Sequence, residues 1–75
     1  RRVSIIDYKT NRSVPESVEN SPVEYITQLA LYRHLISDIY PTREVRCLLL
    51  WTSAPKLVDI PQYLLDEAIA AVNNG

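Results

Sequence analysis

Cysteine is scarce in this sequence and long apolar runs are missing, and each shortage excludes a class of protein. Cys47 is the single cysteine among 75 residues. An internal disulfide framework and a multi-cysteine metal or iron–sulfur site are therefore excluded, and we expect a reducing, cytoplasmic setting. No apolar stretch approaches the ~20 residues of a transmembrane helix, so we expect no membrane partner.

An excess of positive charge is also missing. The formal net charge is −1, so no overall basic field attracts nucleic acid, although a local site remains open. At 75 residues the chain is long enough for one small domain, 1–75. The sequence has no methionine and starts within an apolar stretch, which favours a piece of a larger polypeptide.

Apolar patterning predicts a small α/β domain with a mixed sheet and two helices. The first strand is apolar on both faces, which is typical of a central strand in a parallel sheet. It should join the second strand through a right-handed parallel crossover, and the third strand should return antiparallel. The predicted elements are a strand at 3–9, a loop at 11–21, a helix at 22–40, strands at 45–52 and 57–60, and a helix at 61–73.

Both helices carry recognisable start signals. Ser21 should cap the first helix in a capping box with Glu24, with Pro22 at the first helical position. Pro61 should open the second helix, and Asn73-Asn74-Gly75 should end it. The first helix has an apolar stripe broad enough to predict deep burial, formed by Tyr25, Leu29, Tyr32, Ile36 and Ile39.

The residues at the end of the first strand are the best candidates for chemistry. Side chains alternate along a strand, so Asp7 and Lys9 share one face and Tyr8 points to the other. A carboxylate can hold a divalent cation, and an adjacent amine can meet the negative charge that develops on a phosphate. Asp-x-Lys is nevertheless a common tripeptide, and a solvated ion pair at a strand end would show the same pattern.

A second candidate pair lies on the first helix. Gln28 and Tyr32 are four residues apart and therefore lie on one face, where the Gln28 amide could contact a phosphate or a water. The structural alternative is a glutamine at the helix rim and a tyrosine in the core. Asn11 and Arg12 follow the first strand at the mouth of any site, where Arg12 could contact a phosphate, although arginines in loops are usually solvated. The remaining candidates have structural interpretations: a solvated His34, a buried Cys47 and a core Trp51.

These segments, in this order, resemble a known nuclease family. The stretches IIDYKTNR, YITQLALYRHLISDIYP, VRCLLLWTSAPKLVDIP and LLDEAI resemble the C-terminal, RecB-like nuclease domain of AddA. AddA is the helicase–nuclease subunit of the bacterial AddAB double-strand-break repair complex, and its nuclease domain belongs to the PD-(D/E)xK superfamily. The resemblance covers about 3–69 and implies part of a restriction-endonuclease-like core.

The resemblance implies a role for each candidate residue. Asp7 and Lys9 would be the acid and lysine of the (D/E)xK motif, with Mg²⁺ held by Asp7 and the backbone carbonyl of Tyr8. Gln28 and Tyr32 would be the family's QxxxY element beside the active site. The implied reaction is hydrolysis of DNA phosphodiesters by an exonuclease, with ATP used in motor domains that this sequence lacks and an AddB-like subunit as partner.

One departure from the family pattern limits these expectations. The superfamily site also needs an acid on a preceding hairpin, and no residue of this sequence matches it. We therefore expect the 75-residue chain alone to be inactive, and we expect an open sheet edge that favours homo-oligomers or strand exchange. The alternative is a non-catalytic module that docks on DNA or a repair subunit. A Schiff-base role for Lys9 is disfavoured, because the neighbouring Asp7 carboxylate favours the charged ammonium.

Overall fold

The computed structural model describes residues 2–74 and has the predicted order of elements. A short 3₁₀ turn, Val18–Asn20, interrupts the first loop. The described elements are β1 (Arg2–Lys9), α1 (Val23–Ile39), β2 (Glu44–Trp51), β3 (Lys56–Ile60) and α2 (Gln62–Asn74). The α/β class, the small mixed sheet and the two helices are confirmed.

The three strands form one sheet in the order β1-β2-β3. β1 pairs with β2 in parallel, and β2 pairs with β3 antiparallel, as expected. The prediction that β1 is central is wrong for the described residues, because β2 takes the centre and β1 lies at an edge. The expectation that β1 is buried on both faces is also wrong, since Ile6 is 44 % and Tyr8 64 % exposed.

The hydrophobic core lies on one face of the sheet, under both helices. Every second residue of β2 faces this core, because strand side chains alternate between faces. The helices close it with a small set of apolar side chains, among which Leu29 and Leu65 are fully buried. The buried cluster consists of Ile26, Leu29, Ala30, Cys47, Leu49, Trp51, Ile60, Leu65 and Ala68.

Helix α1 differs from its prediction in burial and in its start. Leu29 is fully buried, as predicted. Tyr32 is 45 % and Ile39 64 % exposed, so the predicted deep burial of the whole stripe is wrong. The predicted capping box is also absent: Pro22 is the N-cap, and its carbonyl accepts the backbone N–H of Tyr25.

The loop before α1 is tied to the body of the domain at two points. Val14 and Val18 pack against the core. The Tyr63 hydroxyl on α2 donates to the Glu19 carboxylate over 2.6 Å, which lowers the pKa of Glu19 and raises the pKa of Tyr63. The loop is therefore anchored from both the core and the second helix.

The remaining boundaries shift by about one residue. Pro61 precedes α2 rather than opening it, and its carbonyl accepts the Leu64 N–H. The predicted helix end at Asn73-Asn74-Gly75 is only partly tested, since α2 continues to Asn74 and Gly75 lies outside the described residues. Within the part of the chain that the structure describes, none of the helices has the length and hydropathy to cross a membrane.

Cys47 provides a test of this core through pH. Burial raises the pKa of its thiol from 9.0 to about 11, against the opposing charge of Arg33. Above pH ~9 the unfolded thiol ionises while the folded one keeps its proton, so this residue's contribution to stability should fall as pH rises from about 9 to 11. The free energy of unfolding of wild type and Cys47→Ala, measured by chemical denaturation across this pH range, checks the prediction. The same pH dependence in both proteins would contradict it.

Candidate functional site

The candidate site lies at the carboxyl end of β1, where three hydrogen bonds hold the strand to the β2–β3 turn. The carbonyl of Lys9 accepts the Thr52 N–H at 2.9 Å and the Thr52 hydroxyl at 3.2 Å. The Ser53 hydroxyl donates to the carbonyl of Asn11 at 2.6 Å. The backbone that carries the acid and the lysine is thus positioned by the end of the central strand.

Asp7 and Lys9 form a partly buried ion pair on the helix-covered face of the sheet. The Lys9 Nζ lies 2.8 Å from the Asp7 Oδ2, and the two side chains are only 16 % and 27 % exposed. Oδ2 is inaccessible to solvent and makes no hydrogen bond of good geometry, so the ammonium contacts it off the favoured direction. This carboxylate oxygen is thus shielded from water and faces the Lys9 ammonium, unlike the oxygens of a solvated surface pair.

Tyr25 holds the lysine from the other side. The Lys9 Nζ lies 4.1 Å from the centroid of the Tyr25 ring, a cation–π geometry. The ring packs 6.1 Å from that of Trp51, which pairs with Lys9 across the sheet. The Tyr25 hydroxyl accepts a hydrogen bond from the Asn11 side-chain amide at 2.8 Å. The ammonium is therefore fixed between a carboxylate and an aromatic face.

An open groove of about 610 Å³ runs from Lys9 along the first turns of α1. Gln28 lines this groove, as does Glu24. The Gln28 amide donates to the Tyr32 hydroxyl at 3.2 Å, so the two residues act as one polar unit on the exposed side of the helix. Gln28 and Lys9 thus line the same groove. Tyr32 is connected to the site through its hydrogen bond with Gln28.

The other candidates lie further from the ion pair. Tyr8 points its side chain to the opposite face, as the alternation predicted, and only its backbone is placed for a role in the site. Arg12 and His34 are exposed. Trp51 is 2 % exposed and Cys47 fully buried, so their structural interpretation is confirmed.

The site has the right ligand chemistry for Mg²⁺ but too few ligands to form a complete metal site. The Asp7 carboxylate and the adjacent Tyr8 carbonyl are hard oxygen donors, which Mg²⁺ prefers. Among residues 2–74, however, no three His, Cys, Asp or Glu side chains cluster closely enough to hold an ion. Asp7 could contribute one carboxylate to a site that takes its other ligands from elsewhere.

Tyr25 is the residue that reasoning from the sequence missed. It was assigned to an apolar stripe, and its contacts with Lys9 and Asn11 depend on the parallel return of the chain, which places the first turn of α1 over the end of β1. One signal was present: Tyr25, Gln28 and Tyr32 are spaced three and four apart and so share one side of the helix.

Comparisons with known proteins add no assignment. No family model, curated protein or solved structure matches the chain.

The contact between Lys9 and Tyr25 can be measured by a double-mutant cycle. Lys9→Met and Tyr25→Leu should show a coupling energy of about 1 kcal/mol in the free energy of unfolding, because the ammonium is partly desolvated over the ring. The control pair Lys9→Met and Tyr63→Leu should be additive, since Tyr63 lies on α2 and contacts Glu19. The free energies of unfolding are measured by urea denaturation. Equal coupling energies in the two cycles would contradict the cation–π assignment.

Proposed function

We propose that this chain forms the Asp–Lys half of a metal-dependent DNA nuclease site of the RecB-like PD-(D/E)xK type. The observation that carries the proposal is the partly buried Asp7–Lys9 pair at the end of β1, with a groove that leads away from Lys9. The resemblance of the surrounding segments to the AddA nuclease domain supports the same assignment and would imply a role in double-strand-break repair and recombination.

Each polar residue of the site has a task in this proposal. Asp7 and the Tyr8 carbonyl would hold Mg²⁺, which in such sites activates water and stabilises the charge of the phosphate. Lys9 presents a fixed positive charge to the scissile phosphate or the attacking water. Because Asp7 and Tyr25 already hold the ammonium in place, little reorganisation is needed when charge develops.

The groove along α1 gives the nucleic acid a route to this pair. The Gln28 amide lines it and can turn from the Tyr32 hydroxyl to a phosphate oxygen. Asn11 is bonded to Tyr25 and borders the site, and the exposed Arg12 beside it is free to follow a DNA backbone. The proposed order along the DNA is therefore Arg12 and Asn11, then Lys9, then Gln28.

The proposal is tested in the natural polypeptide that carries this chain, by Mg²⁺-dependent degradation of linear DNA. Asp7→Asn and Lys9→Met should each reduce degradation by more than ~100-fold, because each removes a group that acts on the reacting phosphate. The matched controls Asp38→Asn and Lys56→Met change exposed residues and should keep wild-type activity. Full activity in both site variants would refute the nuclease assignment and favour the alternative, a non-catalytic docking module.

A second test uses residues 1–75 alone. We expect no DNA cleavage by this purified chain at any Mg²⁺ concentration, because no three metal-binding side chains cluster among its described residues. Cleavage that is abolished by Asp7→Asn, and not by Asp38→Asn, would show that the described residues suffice.

A further inference from the structure

A second groove, called here the α1–α2 groove, lies between α2, the first turn of α1 and the 3₁₀ turn that precedes it. Its volume is about 290 Å³. On α2 it is lined at positions three and four residues apart, which lie on one side of a helix, and two of these are alanines whose small side chains leave it open. The apolar side chains of its lining are Val18, Val23, Ile26, Leu64, Ala68 and Ala71.

Two carboxylates border this groove without a counter-ion. Glu19 and Glu67 both line it, and neither forms an ion pair with any described residue. The Tyr63 hydroxyl donates to Glu19 over 2.6 Å, and the pKa of Tyr63 is raised first by this hydrogen bond and also by the charges of Glu19 and Glu67. The two carboxylates therefore lie close together beside Tyr63, at one rim of the groove.

The segments that form the groove carry charge of only one sign. Residues 13–32 and 62–74 contain no lysine, arginine or histidine. A nucleic-acid backbone would be repelled here, because its phosphates would meet carboxylates. A partner for this surface must therefore be cationic, which favours a basic protein segment over DNA. The acidic residues of the two segments are Glu16, Glu19, Glu24, Asp66 and Glu67.

The size and lining of the groove indicate how such a segment would bind. About 290 Å³ lies at the lower limit of small-molecule sites, which is ~300 Å³, so the groove has room for one or two side chains. None of the described residues that line it belongs to a strand, so it offers no strand edge to an extended peptide. An amphipathic helix needs only side-chain contacts, because it places its apolar side in a groove of this kind.

We propose that the α1–α2 groove docks a basic amphipathic helix of a protein partner. An apolar side chain of that helix would pack on Ala68 and Ala71, and its lysines or arginines would face Glu19 and Glu67. The apolar contact would supply most of the affinity, and the opposite charges would steer association and select the partner. The inference goes beyond the nuclease proposal and does not depend on it, since it uses neither Asp7 nor Lys9.

The test is an NMR titration of the isotope-labelled 75-residue chain with a synthetic helical peptide. The peptide carries leucines on one side and lysines beside them, and a second peptide has glutamate in place of each lysine. The lysine peptide should shift the backbone signals of Ala68 and Ala71 to saturation, with a Kd below about 1 mM that rises with salt concentration. The glutamate peptide and a duplex DNA oligonucleotide should leave these signals unchanged.

Matched substitutions identify the groove as the binding surface. Ala71→Trp fills it and Glu67→Lys reverses its charge, so each should weaken binding of the lysine peptide by about tenfold or more. Ala70→Trp changes the neighbouring exposed alanine, which is not among the lining residues, and Asp38→Lys changes an exposed carboxylate near the far end of α1. Both controls should bind the peptide as wild type does.

Three results would each overturn the proposal. The first is a lysine peptide that leaves the Ala68 and Ala71 signals unshifted. The second is an equal shift of these signals by the glutamate peptide or by DNA. The third is equal binding by the groove variants and their controls. The dispersion of each spectrum establishes that the variant is folded, and Glu67→Lys decides the question if Ala71→Trp is not.

Discussion

The parallel pairing of β1 with β2 is the constraint on which the rest of this domain depends. It sets Ile5 opposite Cys47, Asp7 opposite Leu49 and Lys9 opposite Trp51. A parallel pair requires a crossover, and α1 provides it, so the helix must run back over the sheet and place its first turn above the end of β1. A register shifted by one residue would turn Asp7 and Lys9 to the uncovered face.

The candidate site is a direct result of that crossover. Trp51 supports Tyr25, Tyr25 supports the Lys9 ammonium, and Lys9 contacts Asp7, so a chain of contacts extends from the core to a carboxylate oxygen. A lysine in water samples many rotamers, and holding it in one costs side-chain entropy. In this domain the contacts that pack the core also offset the loss of side-chain entropy during folding. The Lys9 ammonium is therefore already in position for any negative charge that it stabilises.

β1 pairs with β2 and with no other described strand, and α1 leaves Tyr32, Leu35 and Ile39 exposed. The Lys9 carbonyl accepts the Thr52 N–H, which follows directly after β2, and backbone directions alternate along a strand. The odd-numbered residues of β1 therefore carry both the chemistry and the pairing with β2.

Three features could be predicted from the sequence: the order of the elements, the shared face of Asp7 and Lys9, and the burial of Cys47 and Trp51. They are predictable because periodicity and local chemistry are properties of neighbouring residues. The sequence also placed Gln28 and Tyr32 on one side of α1. Only the tertiary structure decided that β2 rather than β1 is central, that Pro22 caps α1 in place of Ser21, and that Tyr25 packs on Lys9. Those features depend on which segments meet across the sheet, as does the exposure of Tyr32 and Ile39, which the apolar pattern predicted to be buried.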